Sequence, residues 1–196
     1  MLAIAASSVA LVAACTALTP LTPVHLELDF AAAMTPVASI ALAEAARVWT
    51  PYQVSIRRDG HVSNDVVVVR VTIGNHAPTT GPDSRAVGSI QFQNGAPLPE
   101  ITLFEQRAWE LICAVAGATA EHWPTSYREL MVGRVLGRAL AHELGHYLLQ
   151  SRQHSATGLM RATQSIADLM ADKGTNLFLT PDDLEALFRG RARKQM

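Results

Sequence analysis

From Val24 to Phe30 apolar and polar side chains alternate, the period of a half-buried strand. The alternation stops at Thr35-Pro36, where a capping hydroxyl precedes a proline suited to the first helical position, and an alanine-rich run to Trp49 continues as helix. Gln53–Arg57 reads as a short strand, followed by the turn dipeptide Asp59-Gly60. Val66–Ile73 is almost all β-branched, which predicts a central strand covered on both faces. A loop with His76, Pro78, Gly81 and Pro82 leads to two more strands, expected at Ala86–Phe92 and Ile101–Phe104 and separated by Asn94-Gly95 and two prolines. Residues 105–120 are ambiguous and lean towards helix. Ser126-Tyr127-Arg128-Glu129 has the form of a capping box. The helix it opens should run to about Gln150, with Val132, Val135, Leu136 and Ala139 as its apolar stripe. A last helix starts at Thr180-Pro181, where Thr180 can cap and Asp182 and Asp183 suit the positive end of the dipole. This order of elements predicts a mixed α/β (α+β) fold, with a twisted sheet of about five strands and two long helices.

Length and composition narrow the class. With 196 residues the chain has enough material for one domain with its own core, expected over residues 24–190. Hydrophobic residues at 49% and charged ones at 17% exclude a disordered chain. A formal charge of −1 and no basic stripe argue against a nucleic-acid partner. The cations Arg189, Arg191, Arg193 and Lys194 read as a solvated tail.

Residues 1–15 carry no charged side chain, too short a run for the roughly 20 residues that span a bilayer, and read as the apolar region of an export signal. Val12-Ala13-Ala14-Cys15 resembles the lipobox of bacterial lipoproteins, although no Lys or Arg precedes the run. The chain is therefore expected to be exported, either anchored to a membrane through a lipidated Cys15 or released to the periplasm or medium. Cys113, within Leu111–Val115, would then lack an internal partner, and is expected to be a buried inert thiol.

The chemistry concentrates in residues 142–160, HELGHYLLQSRQHSATGLM. His142 and His146 are four apart, so on a helix they share a face with Cβ atoms about 5–6 Å apart. Both imidazoles can converge on one ion at about 2.0–2.1 Å, a good fit for zinc. Glu143 sits off that face, too far round to be a ligand but near enough to act as general base on a metal-bound water. A third ligand is needed, and His154 is the nearest candidate. In a continuing helix it would lie about 12 Å from His146 along the axis. The helix must therefore stop soon after Leu149 and the chain must turn back, although no Gly or Pro marks that stop. Asp168, in the apolar run Ile166–Met170, is the alternative third ligand.

The segment resembles the metzincin class of zinc peptidases, and its matrixin-type members most, whose pattern is H-E-x-x-H-x-x-G-x-x-H followed by a Met-turn. His142, Glu143, Gly145 and His146 match; Leu149 stands at the usual Gly, Arg152 at the usual third His, and His154 two residues later. His154-Ser155 and Leu159-Met160 resemble the ends of the matrixin segment with a shortened gap, and Leu179-Thr180-Pro181-Asp182-Asp183-Leu184 resembles the family's closing helix. The resemblance implies a metzincin-like zincin fold with a small C-terminal subdomain, zinc as cofactor, Met160 supporting the site, and endopeptidase activity. It also implies an antiparallel edge strand that pairs with extended substrate, for which Gly88, Ser89 and Ile90 are the candidates, and a specificity wall in residues 161–177. No Tyr follows Tyr147 to assist the oxyanion. A monomer acting on a peptide or protein substrate is expected. The competing expectation is a catalytically silent peptidase fold that binds peptides or scaffolds an envelope complex.

Overall fold

The computed structural model describes residues 24–58, 66–75, 86–173 and 176–194. The expected export segment with Cys15, the turn expected at Asp59-Gly60 and the loop expected at His76, Pro78, Gly81 and Pro82 lie outside the described residues. Five strands form one sheet in the order β2-β1-β3-β5-β4, comprising β1 (Val24–Phe30), β2 (Val54–Arg58), β3 (Val67–Gly74), β4 (Gly88–Gln93) and β5 (Ala96–Phe104). All neighbours are parallel except β4 and β5, which form an antiparallel hairpin and leave β4 at the edge.

Asn94 and Gly95 both have positive φ, 52° and 85°, and close that hairpin in two residues. The prolines expected to interrupt it lie inside β5 instead. Pro97 pairs with Phe92 of β4, and β3 joins only from Glu100 onward, so both Pro97 and Pro99 sit where one side of the strand needs no ladder bond. A bulge separates Ile90 from Phe92.

One face of the sheet is packed. Leu26, Leu28, Val54, Ile56, Val69, Val71, Ile101 and Leu103 join a core completed by α1 (Pro36–Trp49) and α3 (Thr125–Leu149). The opposite face carries Glu27, Asp29, Arg70 and Glu100, with Val68 47% exposed. This corrects the expectation that β3 is covered on both faces. Its β-branched run hides an alternation that Arg70 and Thr72 mark, and Arg70 reaches Asp29 of β1 at 3.4 Å.

Thr35 caps α1 as expected, accepting the Ala38 N–H at 3.1 Å. The long helix α3 starts differently. Its N-cap is Pro124, whose carbonyl receives the Tyr127 and Arg128 N–H groups at 3.0 Å, and no side chain caps it. The Ser126–Glu129 capping box is therefore not formed, because Ser126 is already inside the helix. Residues 105–120 are helical, as α2 (Glu105–Ala116) and a 3-10 segment to His122. Cys113 on α2 is only half-buried and free.

Gly137 lets α3 come against α1, since a Cβ there would meet the Ala41 carbonyl at 2.6 Å. At the end of α1 the fully buried Trp49 donates its indole N–H to the Ala141 carbonyl at 3.0 Å, one residue before His142. Two further helices follow the turn region: α4 (Ile166–Met170) and α5 (Pro181–Lys194). Among the described residues no helix is long and apolar enough to cross a membrane.

Candidate metal centre

His142, Glu143 and His146 lie in the last two turns of α3. The helix ends at Leu149 because Gln150 takes the left-handed conformation, φ 51° and ψ 41°. Its backbone N–H and that of Ser151 both return to the His146 carbonyl, and its side-chain amide donates to the Tyr147 carbonyl at 2.6 Å. The chain thus reverses without glycine. The reversal brings His154 back: its ring stacks on His142 with centroids 5.3 Å apart and lies 4.9 Å from His146. One nitrogen from each of the three imidazoles falls within 4.8 Å of the others, close enough to hold one metal ion.

Two main-chain carbonyls set the histidine tautomers. His142 Nδ1 donates to the Leu159 carbonyl and His146 Nδ1 to the Ser151 carbonyl, each at 2.8 Å. A carbonyl only accepts, so each Nδ1 carries the proton and each Nε2 presents a lone pair in the neutral ring. Those two Nε2 atoms face each other at 3.2 Å. Two lone pairs at that distance repel unless a proton or a cation stands between them. Burial lowers the His142 pKa to about 4 and outweighs the Leu159 carbonyl bond, with His146 and His154 pushing in the same direction as burial. Burial likewise lowers His146. Both rings are therefore neutral at ordinary pH, the form that ligates metal. Three imidazoles suit a borderline divalent cation.

The turn after His154 is built to hold the Leu159 carbonyl. The Ser155 N–H donates to the Met160 carbonyl at 2.9 Å, Arg161 N–H to Gly158 at 3.3 Å, and Leu159 N–H to Phe178 at 2.7 Å. Gly158 has φ +78°, and a Cβ there would collide with the Phe178 carbonyl. Met160 is 1% exposed, and its sulfur fills the space a Cβ on Gly145 would need. The Met therefore lies under the helix between the two histidine turns, with the buried Trp49 close by.

Asp183 fixes the same turn from α5. One carboxylate oxygen accepts the Ser155 hydroxyl at 2.7 Å. The other accepts the Thr180 N–H at 2.9 Å and the Thr180 hydroxyl at 2.7 Å, while Thr180 Oγ1 accepts the Asp183 N–H. Sequence reasoning assigned Asp183 only a dipole role; its tie to the residue after His154 is a tertiary contact with no local signal. The two orienting carbonyls belong to the backbone and equally left no trace in composition.

Asp168 does not join the three histidines. Ser165 caps α4 by accepting the Asp168 N–H at 3.0 Å, and the Asp168 carboxylate accepts the Ser165 hydroxyl at 2.7 Å, Asn176 at 3.2 Å and Arg161 at 3.4 Å. The α4 segment is fastened to α3 by Arg138 and Arg134, which donate to the Asp168, Ala171 and Met170 carbonyls. Arg138 is buried, and its Nε–H donates to the Glu44 carboxylate of α1 at 2.6 Å.

The edge strand crosses this site. A Cβ on Gly88 would stand 3.3 Å from Glu143 Cγ and 3.6 Å from Ala139, so β4 begins directly beside the buried Glu143. Ser89 and Ile90 follow, bonded to β5 on one side, and among the described residues no strand lies on the other. At the far end of β4, the Phe92 ring meets His146 edge-on at 6.1 Å. No family model matches the chain, and no curated protein matches it.

Proposed function

We propose that the protein is an exported zinc-dependent endopeptidase of metzincin-like fold. The observation that carries this reading is the convergence of His142, His146 and His154, with both helix histidines presenting Nε2 lone pairs towards a common point. Zinc, when bound there, supplies Lewis acidity towards a peptide carbonyl and an attacking water. Glu143, one residue from His142 and buried under the start of β4, accepts the proton of the attacking water and returns it to the leaving nitrogen. Gly88, Ser89 and Ile90 offer their main chain to an extended substrate, which adds a strand at the edge of the sheet. Met160 supports the site from beneath the helix. Residues 1–15 serve as the export signal, with Cys15 lipidated or removed, and the domain acts as a monomer.

The test is digestion of a mixed peptide pool by the zinc-loaded protein, with and without a chelator. Cleavage that stops on chelation and returns with zinc supports the reading. Peptide binding with no cleavage under any metal condition would leave a capture module in its place.

A further inference from the structure

We propose that Arg152 makes the cleft prefer peptides with a carboxylate side chain two or three residues from the cut bond; this specificity rests on the peptidase reading above. Arg152 lies in the turn between His146 and His154, and its Cζ stands 4.5 Å above the Phe92 ring. Phe92 in turn meets His146 edge-on at 6.1 Å. The guanidinium is thus two ring contacts from the metal centre. An extended peptide rises about 3.3 Å per residue, so that span corresponds to two or three residues of substrate.

The side chain is exposed, and among the described residues it makes no ion pair and no hydrogen bond. Other arginines near the site are engaged. Arg134 pairs with Asp172, Arg138 with Glu44 and Arg161 with Asp168. Arg152 alone of these four lies over a ring face, and its edge N–H donors have no partner among the described residues. Such an edge matches a carboxylate in a two-pronged contact.

Strand direction brings substrate to it. β4 starts with Gly88 beside Glu143 and reaches Phe92 beside His146, so a peptide paired along this edge and cut at the histidines continues past Phe92. The acids near the turn do not neutralise Arg152, since Asp183 is buried and shared between Ser155 and Thr180.

The experiment uses the zinc-loaded full chain and peptide sets that carry Glu, Gln or Lys at each position around one cut bond. At one position, two or three residues from the bond, kcat/KM for Glu should exceed that for Gln by about two- to fivefold, the scale of a solvent-exposed charge contact, and Lys should be worst. The advantage should shrink with added salt. In Arg152→Gln the Glu-to-Gln ratio should fall to about one, and in Arg152→Glu the order of Glu and Lys should reverse. Cleavage of all three peptides at equal rates at every position overturns the preference and leaves the peptidase reading standing. Absence of cleavage for every peptide overturns both.

Discussion

The sulfur of Met160 occupies the space that a Cβ on Gly145 would fill, so the glycine between the helix histidines is the seat of a buried methionine from the following turn. Gly145→Ala must push Met160 off its position in a filled core that also holds Trp49. The expected cost is about 1–3 kcal/mol, the usual range for overpacking. Denaturant unfolding measures it, and Gly145→Ala combined with Met160→Ala should recover part of the loss.

Removing the proposed general base separates metal binding from turnover. Glu143→Gln should retain one zinc per chain and lose peptide hydrolysis by about 10²- to 10⁴-fold. Metal analysis and peptide turnover on the same preparation check both halves. Unchanged turnover would remove Glu143 from the mechanism.

Ligand assignment follows from which side chain reaches the cluster. His154→Ala should lower zinc affinity steeply, whereas Asp168→Ala should keep full stoichiometry, because that carboxylate is committed to Ser165, Asn176 and Arg161. Titration calorimetry of the two variants distinguishes them.

Asp183 holds the turn that follows His154. Asp183→Ala strands the Ser155 hydroxyl and the Thr180 N–H and should destabilise the fold by about 2 kcal/mol. It should also speed zinc release, since Ser155 is adjacent to His154 in the chain. Zinc transfer to a chromogenic chelator reads the rate.

Glu44 and Arg138 form a buried pair between α1 and α3, and Glu44→Ala leaves the Arg138 charge enclosed without its partner. The loss should be about 3 kcal/mol near neutral pH. Burial pushes the Glu44 carboxyl up, but hydrogen bonds and charge from Arg47 and Arg138 outweigh it and hold it below its ordinary value. The contribution is therefore complete above the ordinary carboxylate range and fades as pH falls through the lowered value, where Glu44 takes up a proton. The stability difference between native chain and variant should narrow accordingly in acid melts.

Much of the framework is legible in the residue pattern. The Thr35-Pro36 start of α1, the Thr180 start of α5 and the alternation in Val24–Phe30 each rest on local chemistry, and each element forms where that chemistry puts it. So does the pair His142 and His146, since helical spacing alone places them on one face. The parts that the residue pattern hides are tertiary. A run of valines reads the same whether one or both faces of the strand are packed, and only the neighbours Glu27, Asp29 and Arg70 reveal the solvated side of β3. The α3 start differs from the pattern because the Pro124 carbonyl takes the first N–H groups and Ser126 already lies inside the helix. The reversal at Gln150 was required by the position of His154 but had no marker, because a glutamine takes the left-handed conformation there through contacts of its own amide and backbone.

The three candidate ligands span only residues 142–154, so the loop that a cation closes is short and its entropic cost is small. The sheet beneath them needs pairings between distant parts of the chain, such as Leu26 with Val67 and Arg70 with Glu100. The short ligand segment therefore relies on the folded domain less for chain closure than for aim, since Asp183 and the Phe178 carbonyl, far along the chain, set the turn from which His154 and the Leu159 carbonyl approach.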